Sequence, residues 1–522
     1  MPCACLDLPG RKHSVFDKTA KGGLVTFKGA RRGIKSSAAM TAIAIVMMAA
    51  IGSSPASADT LRDAFGQVYA SNPTLTGTRA GLRATDEDVV IARAKGLPDL
   101  SATGSYNEFL KRSANSFTAP KKSVGGGFDL TVPLYQGGGV RNSVRAADAR
   151  VLAGRAGLQG TESDIFTATV AVYMDVIRDT AIVDLNGGNV RVLETNLQAS
   201  KDRFQVGDLT RTDVAQSEAR LALAKSQLEA AQAQLDASRQ EYMRIVGKFP
   251  DNLAPPPPLP ALPASPDDAV DVAVANNPQL EAAKQSSRAA DYDIGTARAQ
   301  RLPRLQAFGS GDYVDYRGTL GGASTTQFKQ RDKTATVGLQ GSLSLFQGGE
   351  LGARVRQAQA RKSQALEQTT AVERQIIAEA RTAFSRYQAS LGVIQSSETA
   401  VSANELALEG VRAEQSVGTR NVLDVLNAEQ ELLNSRVTLT SARHDAYVAG
   451  FALIAAMGRA QAKDLGLDGG ALYDPVVNYK RVHGKVFDWT ADPRPVPVAT
   501  STRKQPSVSA VVPLAPVTGE TK

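Results

Sequence analysis

Two aspartates and one arginine are the residues of this sequence whose type and spacing could do chemistry. Asp213 and Asp424 sit in two copies of one pattern. Val206-Gly207 leads through Asp213-Val214 to Glu218, and Val417-Gly418 leads through Asp424-Val425 to Glu429, 211 residues further on. Arg420 lies inside the second copy. An exposed acid beside a base offers a weak, reversible link worth ~0–1 kcal/mol. Taken singly, each aspartate is a helix-start acid favoured by the helix dipole. Glu218 and Glu429 read as solvated helix faces. Nothing else suggests a reaction. His13, His444 and His483 are isolated, so neither a metal site nor a Ser/His/Asp triad is supported. The glycine pairs Gly137-Gly138 and Gly348-Gly349 are followed by no Gly-Lys-Ser/Thr and are not phosphate loops. No catalytic, cofactor-binding or metal-ligating residue is expected, and the chain reads as a non-enzyme.

The elements that position the aspartates are long helices. Val176, Val183, Val190, Leu197 and Phe204 recur every seventh residue before the first Val-Gly, and Val214, Leu221, Leu228, Leu235 and Tyr242 after it. In the second copy Ile394, Val401 and Leu408 lead to the turn, and Val425, Leu432, Leu439 and Leu453 leave it. Sustained sevens predict coiled-coil seams with these residues as core. Gly207 and Gly418 are then the turns of two helical hairpins, supplying the backbone freedom a reversal needs. A helix from about Gly139 to Val206 would be on the order of 100 Å long.

The duplication extends upstream. Asn72-Pro73-Thr74-Leu75 returns as Asn277-Pro278-Gln279-Leu280, and Leu97-Pro98-Asp99-Leu100 as Leu302-Pro303-Arg304-Leu305, both at an offset of 205. Two copies of one unit follow. Each Leu-Pro ends a helix, and two-faced strands come next. Phe128, Leu130, Val132 and Leu134 alternate with polar residues in the first copy, as Val337, Leu339, Leu343 and Leu345 do in the second. Strands are expected at about 100–109 and 125–135, then 305–316 and 335–346, joined by exposed loops at Lys111–Gly126 and Gly318–Lys333. Strands of ~10 residues are long enough to cross a bilayer. Gly137-Gly138 and Gly348-Gly349 read as strand-to-helix turns.

Bulk properties narrow the class. The +8 net charge is misleading: eight Lys/Arg against two Asp/Glu precede Asp59, leaving +2 for a chain that starts there. Nucleic-acid binding loses its support. Residues 1–58 read as a leader and cleaved signal peptide: Arg31, Arg32 and Lys35, an apolar run from Ala38 to Ile51, then Ala56-Ser57-Ala58. Cys3 and Cys5 fall in it, so a disulfide framework is not expected. No later apolar run is long enough for a membrane helix, so any membrane passage must be a closed β-barrel. The expected division is repeat 1 at 59–253, a Pro-rich linker at 254–266, repeat 2 at 267–458, a C-terminal equatorial segment at 459–490 and a disordered tail at 491–522.

Together the signal, duplicated strand hairpins, paired long helices, Leu-Phe-Gln-Gly-Gly and Ser416-Val417-Gly418-Thr419-Arg420 resemble the TolC family. The resemblance covers about Asp59 to Gly458, and Tyr473-Asp474-Pro475 to Trp489 looks like the tail of alphaproteobacterial members. It implies a mainly α fold with a membrane β-barrel: a homotrimer with a 12-stranded outer-membrane barrel and a periplasmic α-helical tunnel. Physics asks independently for more than one chain, because four strands cannot close a barrel and the smallest membrane barrels have about eight. The implied function is the exit duct of a tripartite efflux pump or type I secretion system, passing drugs or unfolded protein. Implied partners are a periplasmic membrane-fusion adaptor, an inner-membrane RND or ABC transporter and outer-membrane lipid, with no cofactor. By residue-wise match, Thr212 and Asp213 would link to Arg420 and hold the tip closed. Gln415 stands where the family has a tyrosine. Asp424 matches an aspartate ring that selects cations, and Asn427 replaces the second ring acid, halving the charge. A non-channel periplasmic coiled-coil adaptor or structural protein would explain the heptads but not the strands. A porin would explain the strands but not the helices.

Overall fold

The computed structural model describes residues 59–111, 118–321, 327–467 and 472–504. The leader, with its cysteines and His13, lies outside the described residues. So do 112–117 and 322–326 within the two expected loops, and 505–522 of the expected tail.

Two similar series of elements follow one another. The first is α1 (Leu61–Ser71), α2 (Pro73–Ala94), β1 (Asp99–Glu108), β2 (Lys122–Gln136), α3 (Gly139–Gln205) and α4 (Arg211–Val246). The second is α5 (Pro266–Asn276), α6 (Pro278–Ala299), β3 (Arg304–Asp315), β4 (Arg331–Ser342), α7 (Glu350–Ser416) and α8 (Val422–Ala456). A short α9 (Pro475–His483) comes after them. Both α3 and α7 have 67 residues, which gives rods of about 100 Å.

Buried Asn72 and Asn277 explain the repeated helix breaks. Asn72 Oδ1 accepts from the N–H groups of Thr74 (2.9 Å) and Leu75 (3.3 Å), and Pro73 fills the first helical position. Its Nδ2 donates to the Ile245 carbonyl at 3.0 Å, so one side chain caps α2 and holds the end of α4. Asn277 caps α6 through Gln279 N–H (2.9 Å) and reaches Ala456 O of α8 at 3.4 Å.

The largest core lies where α1, α3, α4 and α8 meet. Phe65, Phe166, Tyr173, Tyr242, Phe451 and Leu453 are buried there, with Phe65 edge-on to Phe166 at 5.0 Å. Each such side chain contributes roughly 1.5–3 kcal/mol. The proline segment crosses this core as an extended strap. Tyr173 Oη donates to Ala254 O at 2.6 Å, and Tyr447 Oη to Pro257 O at 3.0 Å.

The strands form one antiparallel sheet in the order β1-β2-β3-β4. Its register explains a pattern that the sequence left unclear. Leu100 pairs with Leu130, Ala102 with Phe128 and Tyr106 with Val124; Val132 pairs with Ala307; Ala307 pairs with Leu339 and Gly309 with Val337. Side chains of cross-strand partners share a face, so these residues make one continuous apolar face. Asp129, Ser310, Thr336, Thr131 and Gln340 occupy the other. The apolar face is exposed in the single chain, with Val337 at 89% and Leu339 at 69%. A bulge between Pro133 and Tyr135 accommodates the proline, which cannot donate to the ladder.

The strand bounds differ from expectation. β1 and β3 each start one residue early. β2 and β4 begin at Lys122 and Arg331, inside the expected loops, because both sides of β2 are hydrogen-bonded and its Gly125-Gly126-Gly127 run is carried along. β4 ends at Ser342 rather than 346, since its partner β3 starts at Arg304, opposite Ser342. Leu345 and Phe346 are left about nine-tenths exposed.

Candidate functional site

The two hairpin tips are built alike. Gly207 (φ +83°) and Gly418 (φ +82°) adopt the left-handed conformation that closes a helix end. Gly207 N–H donates to Phe204 O, and Gly418 N–H to Gln415 O, both at 3.0 Å. A capping box follows each turn. Thr210 Oγ1 accepts from Asp213 N–H (3.3 Å), and Asp213 Oδ2 accepts from Thr210 N–H (2.9 Å) and hydroxyl (2.7 Å). These bonds, the hydroxyl first, hold the Asp213 carboxyl below the usual carboxylate range. In the second tip Asn421 Oδ1 accepts from Asp424 N–H at 2.9 Å, and Asp424 Oδ2 from Asn421 N–H at 3.4 Å.

Within one chain the tips are not latched to each other through Arg420. Its Nε donates to Glu414 Oε2 at 2.7 Å, across its own turn, while Thr210 engages Asp213. Thr212 is exposed and Gln415 half-buried. Asn427 does reach the other hairpin: its Oδ1 accepts from Arg220 Nη2 at 2.6 Å. At the far ends of α3 and α7, Gly137, Gly138, Gly348 and Gly349 have φ of +61°, +77°, +56° and +85°. A Cβ on Gly137 would stand 2.7 Å from Ala299 O, so the first turn is also sterically closed to larger residues.

Two groups contradict the sequence reading. Glu429 is not a solvated face. It is 7% exposed, receives bonds from Asn196 Nδ2 on both oxygens (3.2 and 3.0 Å), and pairs with Arg412 Nη2 at 2.9 Å. It thereby ties α3 of the first hairpin to α7 and α8 of the second. Its position was a usable signal: four residues after Val425 and three before Leu432 is a seam position, and a carboxylate there needs partners. Glu218, at the matching position, does stay solvated, with Lys201 3.1 Å away. Nor is His444 isolated. Its side chain is nearly buried, with Nδ1 2.8 Å from Asp445 and Nε2 3.0 Å from Asp175 on α3. Arg178, Asp179 and Ser238 continue the cluster. Burial pulls the His444 pKa down, but the two carboxylates outweigh it and the net shift is upward. The His483 ring lies tilted against Tyr479, centroids 5.3 Å apart, and its carbonyl accepts from Arg93 at 2.8 Å.

Among the described residues no helix is long and apolar enough to cross a membrane, and no group of three or more His, Cys, Asp or Glu could hold a metal. The single chain thus carries an open, two-faced sheet of four strands at the ends of two helices of about 100 Å. The sequence model of the family described as outer membrane efflux protein matches residues 65–248 and 269–459. This chain belongs to that family. It is similar to outer membrane efflux protein BepC of Brucella suis biovar 1, 34% identical over 429 residues covering 82% of this chain and 91% of the relative. Outer membrane protein TolC of Escherichia coli K12 is 26% identical over 88% of this chain and 95% of its own length. The solved structure of outer membrane protein VceC from Vibrio cholerae has the same fold, with a TM-score of 0.64, 23% identity, and coverage of 76% of this chain and 96% of that one. The chain is therefore an efflux channel of the outer membrane, with its helices in the periplasm.

Proposed function

We propose that three copies close a twelve-stranded barrel, four strands from each, over a single helical tunnel. The observation that carries this is the open sheet: β1 and β4 each have one unpaired edge, and the face between them is apolar. An unpaired edge in a bilayer leaves backbone groups without partners, so β4 of one chain must meet β1 of the next. The exposed Leu343–Phe346 segment lies where that seam would continue.

At the tip, Arg420 is offered as a latch to Thr212 and Asp213 of a neighbouring copy, exchanging its bond to Glu414 when the copies meet. Gln415 supports that contact less firmly than a tyrosine would. Asp424, repeated by symmetry, would narrow the pore and favour cations, with Asn427 adding no charge. A few exposed links of ~0–1 kcal/mol each can be undone by a docking partner. That partner is a periplasmic adaptor coupled to an inner-membrane RND or ABC transporter. The cargo is a drug, a toxic small molecule or an unfolded protein, and the duct does no chemistry.

Single-channel conductance in planar bilayers tests this, wild type against Arg420→Ser. A small cation-selective current that rises in the variant is expected. A large current unchanged by the substitution discards the latch. No current from either protein, without detergent-stable trimers, removes the duct.

A further inference from the structure

The segment after α9 forms a closed loop that the channel reading leaves unused. Arg481 makes a bidentate pair with Asp492 at 2.7 and 2.8 Å, joining the two ends. Lys485 N–H donates to Val482 O at 2.9 Å, and Thr490 Oγ1 to Phe487 O at 3.1 Å, so the interior is bonded too. What the loop displays is mainly apolar, with Val486 66% exposed, Phe487 68% and Trp489 89%, around one exposed acid, Asp488. Bonding that orders a loop only to expose three large apolar side chains calls for an apolar or interfacial partner.

The position of the loop says which. It lies along the last turns of α2, against Glu87, Val90, Arg93, Ala94 and Leu97. Leu97 is two residues before β1, and Gln136 Nε2, at the end of β2, donates to the Lys95 carbonyl at 3.1 Å. The foot of the sheet, the end of α2 and the loop therefore stand at one level. The sheet's apolar face begins there, with Leu100 70% exposed and Tyr135 50%. Lys95, just past the end of α2, and Lys480 on α9 are exposed, while Lys485 within the loop lies 3.6 Å from Asp492. Aromatic side chains flanked by cations are the usual occupants of a membrane–water interface.

We propose that Val486–Trp489 is a membrane-interface anchor, seated in the phospholipid headgroups of the periplasmic leaflet beside the barrel foot. Lys95 and Lys480 meet lipid phosphates, and Phe487 and Trp489 extend the barrel's lipid-facing surface onto the helical rod. This rests on the sheet being a membrane barrel. The anchor would fix the depth and tilt of the rod, which strands alone leave to a single ring of contacts.

Trp489 is the one tryptophan of the chain, so it reports on itself. The full-length protein is reconstituted in phosphatidylethanolamine/phosphatidylglycerol vesicles, plain or brominated either near the headgroup or near the bilayer centre. Channel current is recorded from the same preparation. A blue-shifted emission, lost to shallow bromine and much less to deep bromine or aqueous acrylamide, is the expected result. Emission quenched by acrylamide and not by bromine, from vesicles that conduct, overturns the anchor and leaves the channel standing. Blue-shifted emission that bromine does not touch means protein covers the loop, and overturns it equally. Vesicles without current or lipid quenching remove the barrel and the anchor together.

Discussion

The helices α3 and α7 have the same length, start after the same Gly-Gly and end at the same Val-Gly, yet they meet different surroundings. Twenty residues of α3 are buried against five of α7. The first rod lies among α1, α2, α4, α6 and α8, whereas α7 meets α5, α6 and α8. Side chains follow the difference. At the 211-residue offset, exposed Thr180 and Thr195 of α3 correspond to Leu391 and Leu406 of α7, which are 41% and 71% exposed. Duplication kept the geometry and let the surfaces diverge: one rod is packed within the chain, and the other leaves leucines exposed, the face we propose for contact with a second copy.

Making α7 resemble α3 is the sharpest way to break that comparison. Burying a leucine at a subunit contact contributes roughly 1.5–3 kcal/mol, repeated in every copy. The double variant Leu391→Thr/Leu406→Thr is expected to lose detergent-stable trimers while keeping the helical circular dichroism of the wild type. Thr180→Val/Thr195→Val on α3 should leave assembly unchanged. If trimers survive the α7 change, the exposed leucines are not an assembly surface.

A middle-sized effect separates the hairpins near their tips. Glu218 and Glu429 hold the same place after their turns, one solvated and one buried between Asn196 and Arg412. Glu429→Ala leaves those donors without their acceptor and should cost about 1.5–3 kcal/mol. Glu218→Ala should cost ~0–1 kcal/mol. Chemical denaturation of matched samples reads both, and equal midpoints would show that the cross-hairpin clasp carries no weight.

These contrasts mark how far the sequence could be read. The Asn-Pro breaks, the Val-Gly turns and the heptads were legible because each is a local signal with one backbone solution, except that Phe204, at the last turn before the first tip, is 44% exposed rather than core. Leu100–Phe109 and Leu305–Tyr316 looked irregular alone. Register makes them regular, since Gly104, Gly309 and Gly311 fall on the apolar face where glycine hides the alternation. The start of β2 was hidden for the same reason, its glycines being held by neighbours on both sides. Partner choice was the least legible part. Arg420 meets Glu414 six residues away across a turn, and Arg220 meets Asn427 207 residues away. Long side chains select partners by three-dimensional proximity, which spacing encodes only inside one helix.

The smallest expected effect concerns the seam between the repeats, where the two halves again differ. His444 on α8 corresponds to Ala233 on α4, so only the second repeat sends an imidazole toward α3. Asp175 and Asp445 face the ring, Arg178 stands behind Asp175, and Asp179 is engaged by Arg178 and Ser238. The His444 pKa is raised in the folded chain, so its stabilisation is fully present below the unfolded value of ~6.5 and is lost as pH rises through the folded value. Burial raises the Asp175 pKa, but His444 and Arg178 outweigh it and the net shift is downward. Its share is therefore present above an unfolded value of ~3.9 and lost as pH falls through the folded one. The seam is thus firmest between the two unfolded values, about pH 3.9 to 6.5, and its alkaline edge belongs to His444. Denaturation midpoints of wild type should fall from about pH 6.5 upward, while those of His444→Gln stay level over the same range and start lower. Parallel profiles for the two proteins would assign the ring a packing role alone.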